Sequence, residues 1–576
     1  MSTSLQGRAA APGAAMAPAF LLRERNDAQQ ARDYRPAQDR EEERSRADAA
    51  LGTTAERLTA LAEEVAESAG ESESEVFLAH ADFAEDPELV DRIHEQIAGG
   101  ASAVEAVRAG FDSFRGLLAA SPDEYLAARA GDIDDVRDQV LDVLFGRRDV
   151  GAVPRQRSVL VARELTPSQT ARLPRELIAA VACEGGSPTS HAAILARTLG
   201  IPAVLGVSGL LAAVEDGVLV AVDGSSGEVV VDPAPERQAR IDATAEQAAQ
   251  RRASLAELAG EPGRTADGHR VELAANIDGP DALASAAEHG AEGSGLVRTE
   301  LLFLDATEPP SIEEQATYYQ RVLAAFPGQR VVFRTMDIGA DKPLPFAARE
   351  PEDNPALGVR GIRLGLEQPD LLRAQLRALL RAHAVSSATA GAARTAVMFP
   401  LVAVRRELDA AIELLEQAAV DEGVDLDSSG VEVGTMVEVP SAALAAGHLA
   451  QRCDFLSIGT NDLLQYLFAA DRLLPAVADL PQLFEPAVLR LVRDVAAAAA
   501  ADAWLGVCGE EASDPISAVV LVGLGVHELS MTPGALPEVK AALRQVTLQE
   551  CQQAARRALV AGDAQEARAA VAALLR

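Results

Sequence analysis

The chain has 576 residues, 48% of them apolar, enough for more than one core, and two to four domains of ~100 to 250 residues are expected. Its 52 Lys and Arg stand against 87 Asp and Glu, and the net charge of −35 argues against nucleic acid and anionic membrane as partners, since phosphate-rich surfaces would be repelled. Four cysteines without CxxC spacing (Cys183, Cys453, Cys508, Cys551), no secretory signal and no apolar run of ~18 to 20 residues predict a reduced, soluble, cytoplasmic protein without membrane insertion.

In chain order, Pro18 to Arg23 reads as a short strand region. From about Gln38 to Phe145, apolar residues recur at three-and-four spacing among charges, as in TTAERLTALAEEV and DIDDVRDQVLDVLF, which predicts a helical subdomain. Between Ser158 and Asp232 the runs SVLVARE, LIAAVAC, PAVLGV, GVLVAVDG and GEVVVD are strand-like, with HAAILARTLG as a helix among them. The stretch from Pro235 to Gly260 has no internal Gly or Pro and reads as one connector helix of roughly 25 residues, about 37 Å long. Eight further strand-like runs follow: RVELAANI, GSGLVRTE, RVVFRTMD, AVMFPLV, EVGTMVEV, DFLSIGT, WLGVCG and HELSM. The segments between them have helical period, so a (β/α)8 barrel is expected.

The fold class is therefore multidomain α/β: a helical subdomain, a compact α/β domain and a C-terminal barrel. The expected limits are 1–37 for the N-terminal strand region, grouped with the compact domain, 38–148 for the helical subdomain, and 149–234 for the compact domain. The connector takes 235–262 and the barrel 263–576.

In such a barrel the active site forms at the C-terminal strand ends. There the sequence puts Arg298, Arg334, Asp337, Glu438, Asn461, Asp462 and Cys508. Singly, Asn461 or Asp462 reads as a helix cap and Cys508 as an inert buried thiol. Together on one rim they suggest a shared cavity. Glu438 and Asp462 offer hard oxygen ligands for Mg²⁺, and Arg298 and Arg334 are planar forks for carboxylate or phosphate. Lys342, Arg360, Arg363 and Arg472 follow in loops, supplying local positive charge that an anionic substrate needs against the global field. A thiol beside such a cluster suits a general acid that protonates an enolate as its phosphate leaves, and Cys508 is the candidate.

In GGSPTSHAAILAR, turn-forming residues precede His191 and a helix follows, which sets the imidazole near a helix N-terminus that favours phosphate. Neutral imidazole, with a reference pKa of ~6.5, is a competent nucleophile. A lone histidine in this position also reads as a cap or surface residue.

The segments TSHAAILAR, GAEGSGLVRTELLFLD, VVFRTMDIGADKPLP, NPALGVRGIR, MVEVPSAAL, FLSIGTNDLLQYLFAADR and GVCGEEASDP resemble, in order and over nearly the whole chain, the specific runs of phosphoenolpyruvate-protein phosphotransferases, enzyme I of the bacterial sugar phosphotransferase system. The resemblance implies that His191 is phosphorylated on Nε2 by phosphoenolpyruvate. It implies that Arg298, Arg334, Asn461, Asp462 and Arg472 contact this substrate, that Glu438 and Asp462 bind Mg²⁺, and that Cys508 is the proton donor. Thr170 matches a threonine that supports the histidine, with Lys342 and Arg360 as further supporting residues. FLAHADFAEDPEL and DEYLAARAGDIDDV resemble the subdomain that docks the phosphocarrier HPr. The implied products are pyruvate and phosphorylated HPr, the implied state a homodimer through the barrel, and the pathway sugar uptake.

One departure stands at Gly186, Ser187 and Pro188, where many relatives read Gly-Gly-Arg before Thr-Ser-His. Two other readings are weighed: a dikinase-like phosphotransferase using ATP made by another chain, and a catalytically silent regulatory relative. About 150 residues precede the compact domain and contain no Gly-rich phosphate loop, unlike dikinases with their large nucleotide-binding domain.

Overall fold

Short runs of valine and alanine build the sheet of the first of two units, Met1–Arg251 and Arg252–Arg576, in the computed structural model of the chain. The structure describes all residues except 1, 23–33, 38, 70, 120–129, 147–152, 167, 170–172, 187–192, 194–195, 197–200, 305, 307, 340–345, 347–351, 473, 475–476, 478–479, 501 and 576.

In the first unit, β1 (Thr3–Gln6), β2 (Arg8–Ala11), β3 (Ala14–Leu21), β4 (Ser158–Ala162), β5 (Ile178–Cys183), β6 (Ala203–Leu205), β7 (Leu219–Asp223) and β8 (Glu228–Val231) form one sheet. Its order is β1-β8-β7-β3-β4-β5-β6-β2. Strands β3 to β6 pair in parallel, and the remaining pairings are antiparallel. Every residue of β4 and β5 is buried, as continuous apolar runs in inner parallel strands require. The N-terminal strand region is longer than the sequence suggests. Alanine has weak strand preference and leaves no alternation to read, so β2 and most of β3 are specified by their partners, while the mostly polar β1 (TSLQ) is set by its pairing with β8.

Between β3 and β4 the chain forms helices at Arg40–Ala69, Glu71–Ala84, Pro87–Ala98, Ala103–Ala119 and Ala130–Leu144 around their own apolar core. Asp86 caps the third, accepting from the backbone N–H groups of Glu88 and Leu89 at 2.8 and 3.1 Å, while Pro87 occupies the first turn, where no donor is needed. Leu89, Ile93 and Ile97 turn inward at helical spacing. Gly110 lets the next helix approach, since a Cβ there would stand 2.8 Å from Ile93. Buried Asp135 accepts from the Ser168 hydroxyl at 2.8 Å, joining these helices to the α/β part of the same unit. The connector helix expected from Pro235 runs Pro235–Glu257, and its Ile241 packs on Ala14, Ala221 and Val230.

The second unit is the expected barrel. Strands β9 (Glu272–Ile277), β10 (Gly293–Arg298), β11 (Arg330–Arg334), β12 (Arg394–Phe399), β13 (Glu432–Val437), β14 (Phe455–Ile458), β15 (Trp504–Val507) and β16 (Glu528–Met531) close in sequence order, all parallel. Outward residues pack under the helices, and Leu296, Val332, Met398, Met436 and Phe455 fill the lumen. Phe455 stacks on Trp504 with ring centroids 4.6 Å apart, in space that Gly434 leaves open.

At the N-terminal strand ends, Arg330 binds Glu272 at 2.8 Å, Glu432 at 3.0 Å and Glu528 at 3.4 Å, with its guanidinium 3.9 Å from the Trp504 ring centroid. This charged plug closes the lumen on the face where barrels carry stability rather than catalysis. Among the described residues no helix is long and apolar enough to cross a membrane.

Candidate active site

At the opposite, C-terminal ends of the strands lies a polar cavity of about 90 Å³. It is lined by Arg298 from β10, Arg334 from β11, Glu438 just past β13, Asn461 and Asp462 past β14, and Cys508 just past β15, with Arg360 and Arg472 from the loops. The barrel thus gathers residues spread over some 200 positions because each closes its strand at the same rim.

The arginines are held by carboxylates. Arg334 binds Glu300 and, at 3.1 Å, Asp337. Asp337 also accepts from Arg360 Nη2 at 2.9 Å and Nε at 3.3 Å, a bidentate pair. Arg360 reaches Asp462 at 3.5 Å, and the half-exposed Arg472 lies 4.0 Å from the same carboxylate. These neighbours hold the Arg334 and Arg360 guanidiniums firmly charged despite burial.

Backbone geometry under the arginines is fixed by one buried amide. Gln375, on the helix Pro369–Ser387, donates to the Thr299 hydroxyl at 2.8 Å and accepts from the Met336 N–H at 2.9 Å. Thr299 in turn donates to the Arg334 carbonyl at 2.7 Å. The ends of β10 and β11 are therefore tied to each other and to the helix outside.

Glu438 is 1% exposed and accepts from the Leu401 N–H at 2.6 Å. Burial, with Asp337 and Asp462 nearby, pushes its carboxyl up to about 8. Asp462 Oδ1 makes no hydrogen bond among the described residues, its cations Arg360 and Arg472 standing off at 3.5 and 4.0 Å. Glu438 and Asp462 thus fit a hard cation: oxygen ligands in an overcrowded set of carboxylates, one atom of which lacks a donor. No group of three or more His, Cys, Asp or Glu side chains able to hold a metal ion occurs among the described residues. Two carboxylates suffice for Mg²⁺, which keeps water and substrate oxygens in its octahedron.

Asn461 and Asp462 lie in the first turn of the helix Thr460–Phe468, but its cap is Gly459 and makes no side-chain bond, so neither residue is a cap. Asn461 instead exchanges hydrogen bonds with Glu510, donating to its carboxylate at 3.2 Å and accepting from its N–H at 3.1 Å. Cys508 is 4% exposed, its sulfur 3.8 Å from the Ile458 carbonyl, and burial pushes the thiol up to about 11. It therefore stays protonated at neutral pH.

Arg363 is absent from the cavity lining and donates to the Leu357 and Gly358 carbonyls, because the turn before the helix Ile362–Glu367 directs it away. Glu300 was not anticipated. Its signal was its place two residues after Arg298, beyond the last strand residue. His191, Thr170, Lys342, Ser187 and Pro188 lie outside the described residues.

Residues 6–129 match the domain family "PEP-utilising enzyme, N-terminal", 154–227 "PEP-utilising enzyme, mobile domain", and 252–548 "PEP-utilising enzyme, PEP-binding domain". The chain is 46% identical to a phosphoenolpyruvate-protein phosphotransferase of Streptomyces coelicolor, over 94% of this chain and 93% of that one. The chain belongs to the phosphoenolpyruvate-protein phosphotransferase family. Phosphoenolpyruvate-protein phosphotransferases of a Bacillus species and of Enterococcus faecalis are 40% and 38% identical, each over 98% of this chain and 96% and 98% of their own. The three domain families follow one another along the chain in the order of the helical, compact and barrel segments.

Proposed function

We propose that this chain moves the phosphoryl group of phosphoenolpyruvate onto its own His191 and from there to a histidine of the phosphocarrier HPr, releasing pyruvate. As a member of its family it is an enzyme of phosphoryl transfer. The observation that carries the specific reading is the joint presence, around one cavity, of arginine forks, two metal-suited carboxylates and a protonated thiol.

The charges support an anionic substrate that arrives with a cation. Arg298, Arg334, Arg360 and Arg472 are offset by Glu300, Asp337, Glu438 and Asp462, so four cations meet four carboxylates. With all four carboxylates ionised such a cavity holds no surplus positive charge, and with Glu438 protonated it holds a single one, too little for a phosphate and a carboxylate together. Glu438 and Asp462 would hold Mg²⁺, which would supply that surplus and offset the charge of the transferring phosphoryl group. Arg298 and Arg334 grip the phosphate and carboxylate ends of the substrate, while Asn461 and Arg472 close around it.

His191 attacks phosphorus, the bond from phosphorus to the enol oxygen breaks, and the electron pair moves into the enolate. Cys508 gives its proton to the terminal carbon, forming the methyl group of pyruvate. His191 lies in the first unit and the cavity in the second, so the histidine travels between donor and carrier. The hinges of this movement flank a compact domain of residues 149–234, and the helical segment of 38–148 docks HPr. Thr170 supports the histidine, and Lys342 adds positive charge at the substrate. The protein works in the cytoplasm as a homodimer formed through the barrel, at the head of sugar uptake.

The test is incubation with phosphorus-labelled phosphoenolpyruvate and Mg²⁺, followed by purified HPr. Label is expected on the wild-type chain and then on HPr. A His191→Ala variant that still takes up label removes His191 from the reaction. Pyruvate-dependent formation of phosphoenolpyruvate on adding ATP would favour a dikinase-like activity instead.

A further inference from the structure

The helical segment and the α/β part of the first unit meet through a buried pair of polar residues. Asp135, on the helix Ala130–Leu144, is 2% exposed, and Ser168, in the turn after β4, is 4% exposed. One carboxylate oxygen accepts from the Ser168 hydroxyl at 2.8 Å and the other from the Ser168 backbone N–H at 3.2 Å. Two charge-assisted hydrogen bonds satisfy this buried carboxylate, and losing them leaves its charge unmet.

Neither residue is needed by its own domain. Ile133, Val136, Val140 and Leu141 turn the apolar face of the helix into the helical core, and Asp135 lies about 100° round the axis from Val136. The Ser168 turn closes without Asp135: the Gln169 N–H donates to the Thr166 hydroxyl at 3.3 Å, and the Gln169 side-chain oxygen accepts from the Thr166 N–H at 3.2 Å. The pair is therefore a link between domains. Gln139 follows Asp135 by one turn on the same side of the helix and is 8% exposed, yet its amide nitrogen makes no hydrogen bond among the described residues. Such a donor is costly in a permanent interface and is met by water in one that parts.

The chain enters and leaves the helical segment at one place, away from this pair. On the way in, buried Glu43 accepts from the Ala37 N–H at 2.7 Å and from the Tyr34 hydroxyl at 3.2 Å. The Tyr34 ring meets Phe145, on the way out, edge-on with centroids 6.5 Å apart. Phe145 stands ten residues beyond Asp135, about 15 Å along the helix axis. A bond so far from the junction resists rotation about it more than a bond at the junction would.

We propose that Asp135 and Ser168 form a latch that seats the compact domain against the carrier-docking helices and opens each time His191 leaves for the barrel. The proposal rests on the reading of His191 as a travelling phosphoryl carrier. Ser168 lies within the moving residues 149–234 and Asp135 within the helical segment 38–148, so rotation about the Tyr34 and Phe145 junction parts them. Closed, the latch fixes the orientation from which the phosphohistidine meets HPr. Open, both residues are hydrated and the domain is released towards the donor. Asp135 and Ser168 are thus positioning residues, acting through the orientation of a domain.

The test measures that orientation directly. All four native cysteines are buried, so cysteines introduced at the exposed Glu95 and Glu215 take nitroxide labels selectively. Double electron–electron resonance on the full chain without substrate is expected to give one dominant distance between the helical segment and the compact domain. Ser168→Ala and Asp135→Asn should each add a second population, and Ser168→Thr, which keeps the hydroxyl, should restore the single distance. In single-turnover assays, transfer from the phosphorylated chain to saturating HPr should slow about tenfold in Ser168→Ala and Asp135→Asn, the scale of one charge-assisted hydrogen bond. The dissociation constant for HPr should stay within about twofold of wild type, and labelling by phosphoenolpyruvate should run at least as fast. A wild-type distance distribution in Ser168→Ala, or equal slowing of both half-reactions, overturns the latch. Should Asp135→Asn fail to fold, the two Ser168 variants decide. The resonance measurement needs no phosphoryl transfer, so a chain that takes no label from phosphoenolpyruvate removes the reading of His191 while the distances still judge the latch.

Discussion

At the scale of single residues, the site works by setting similar groups in unlike environments. Cys183, Cys453, Cys508 and Cys551 are all buried thiols, yet only Cys508 lines the polar cavity. Cys508→Ala is expected to leave the KM for phosphoenolpyruvate within about twofold of wild type while pyruvate release slows by ~10² or more, the usual contribution of a positioned acid. Steady-state assay of pyruvate checks this, and equal loss in KM would point to a binding role instead. Cys508, Arg298, Arg334, Glu438 and Asp462 were legible because each stands at or just past the end of a readable strand. Glu300 was not, since its importance lies in holding Arg334, a partner 34 positions away. Arg363 was misplaced for the converse reason: a cationic type says nothing about the direction in which a turn sends it.

At the scale of elements, strand ends confer opposite roles on opposite faces of one barrel. The C-terminal ends carry the proposed active site, and the N-terminal ends carry the Arg330 plug, whose members come from β9, β11, β13 and β16. Glu528 in the plug has its folded carboxyl raised to about 8 from an ordinary value of 4.5. The folded state then binds its proton more tightly than the unfolded chain. This contribution to stability is complete below about 4.5 and is lost as pH rises through about 8. Denaturant titrations of Glu528→Gln between these limits should therefore show a flatter dependence on pH than the wild type. An unchanged slope would mean that Glu528 ionises normally in the fold. The plug was invisible in the sequence because Arg330, Glu272, Glu432 and Glu528 each look like ordinary charges at strand starts, and only closure brings them together. Within the N-terminal strand region of 1–37 the individual strands β1 and β2 could not be read, since a polar and an alanine-rich segment acquire strand structure from pairing rather than from their own pattern.

At the scale of the whole molecule, the division into two units predicts separable behaviour on unfolding. Calorimetry should resolve two transitions, and phosphoenolpyruvate with Mg²⁺ should raise that of the barrel unit. Saturation at 100 times the dissociation constant adds about 2.7 kcal/mol of stability. Glu438→Gln should abolish most of that gain, and a barrel transition indifferent to the ligands in the wild type would count against the proposed site. The net charge of −35 gains meaning at this scale, because a strongly acidic chain binds an anion only where arginines are gathered and a cation is added. The sequence by itself determined the order of segments, the eight barrel strands and the residues at their upper ends, since hydrophobic period and chain order are local properties. Tertiary structure alone decided which charges face one another and which carboxylates crowd. Those facts depend on distances between residues far apart in the chain, and closing the barrel is what sets them.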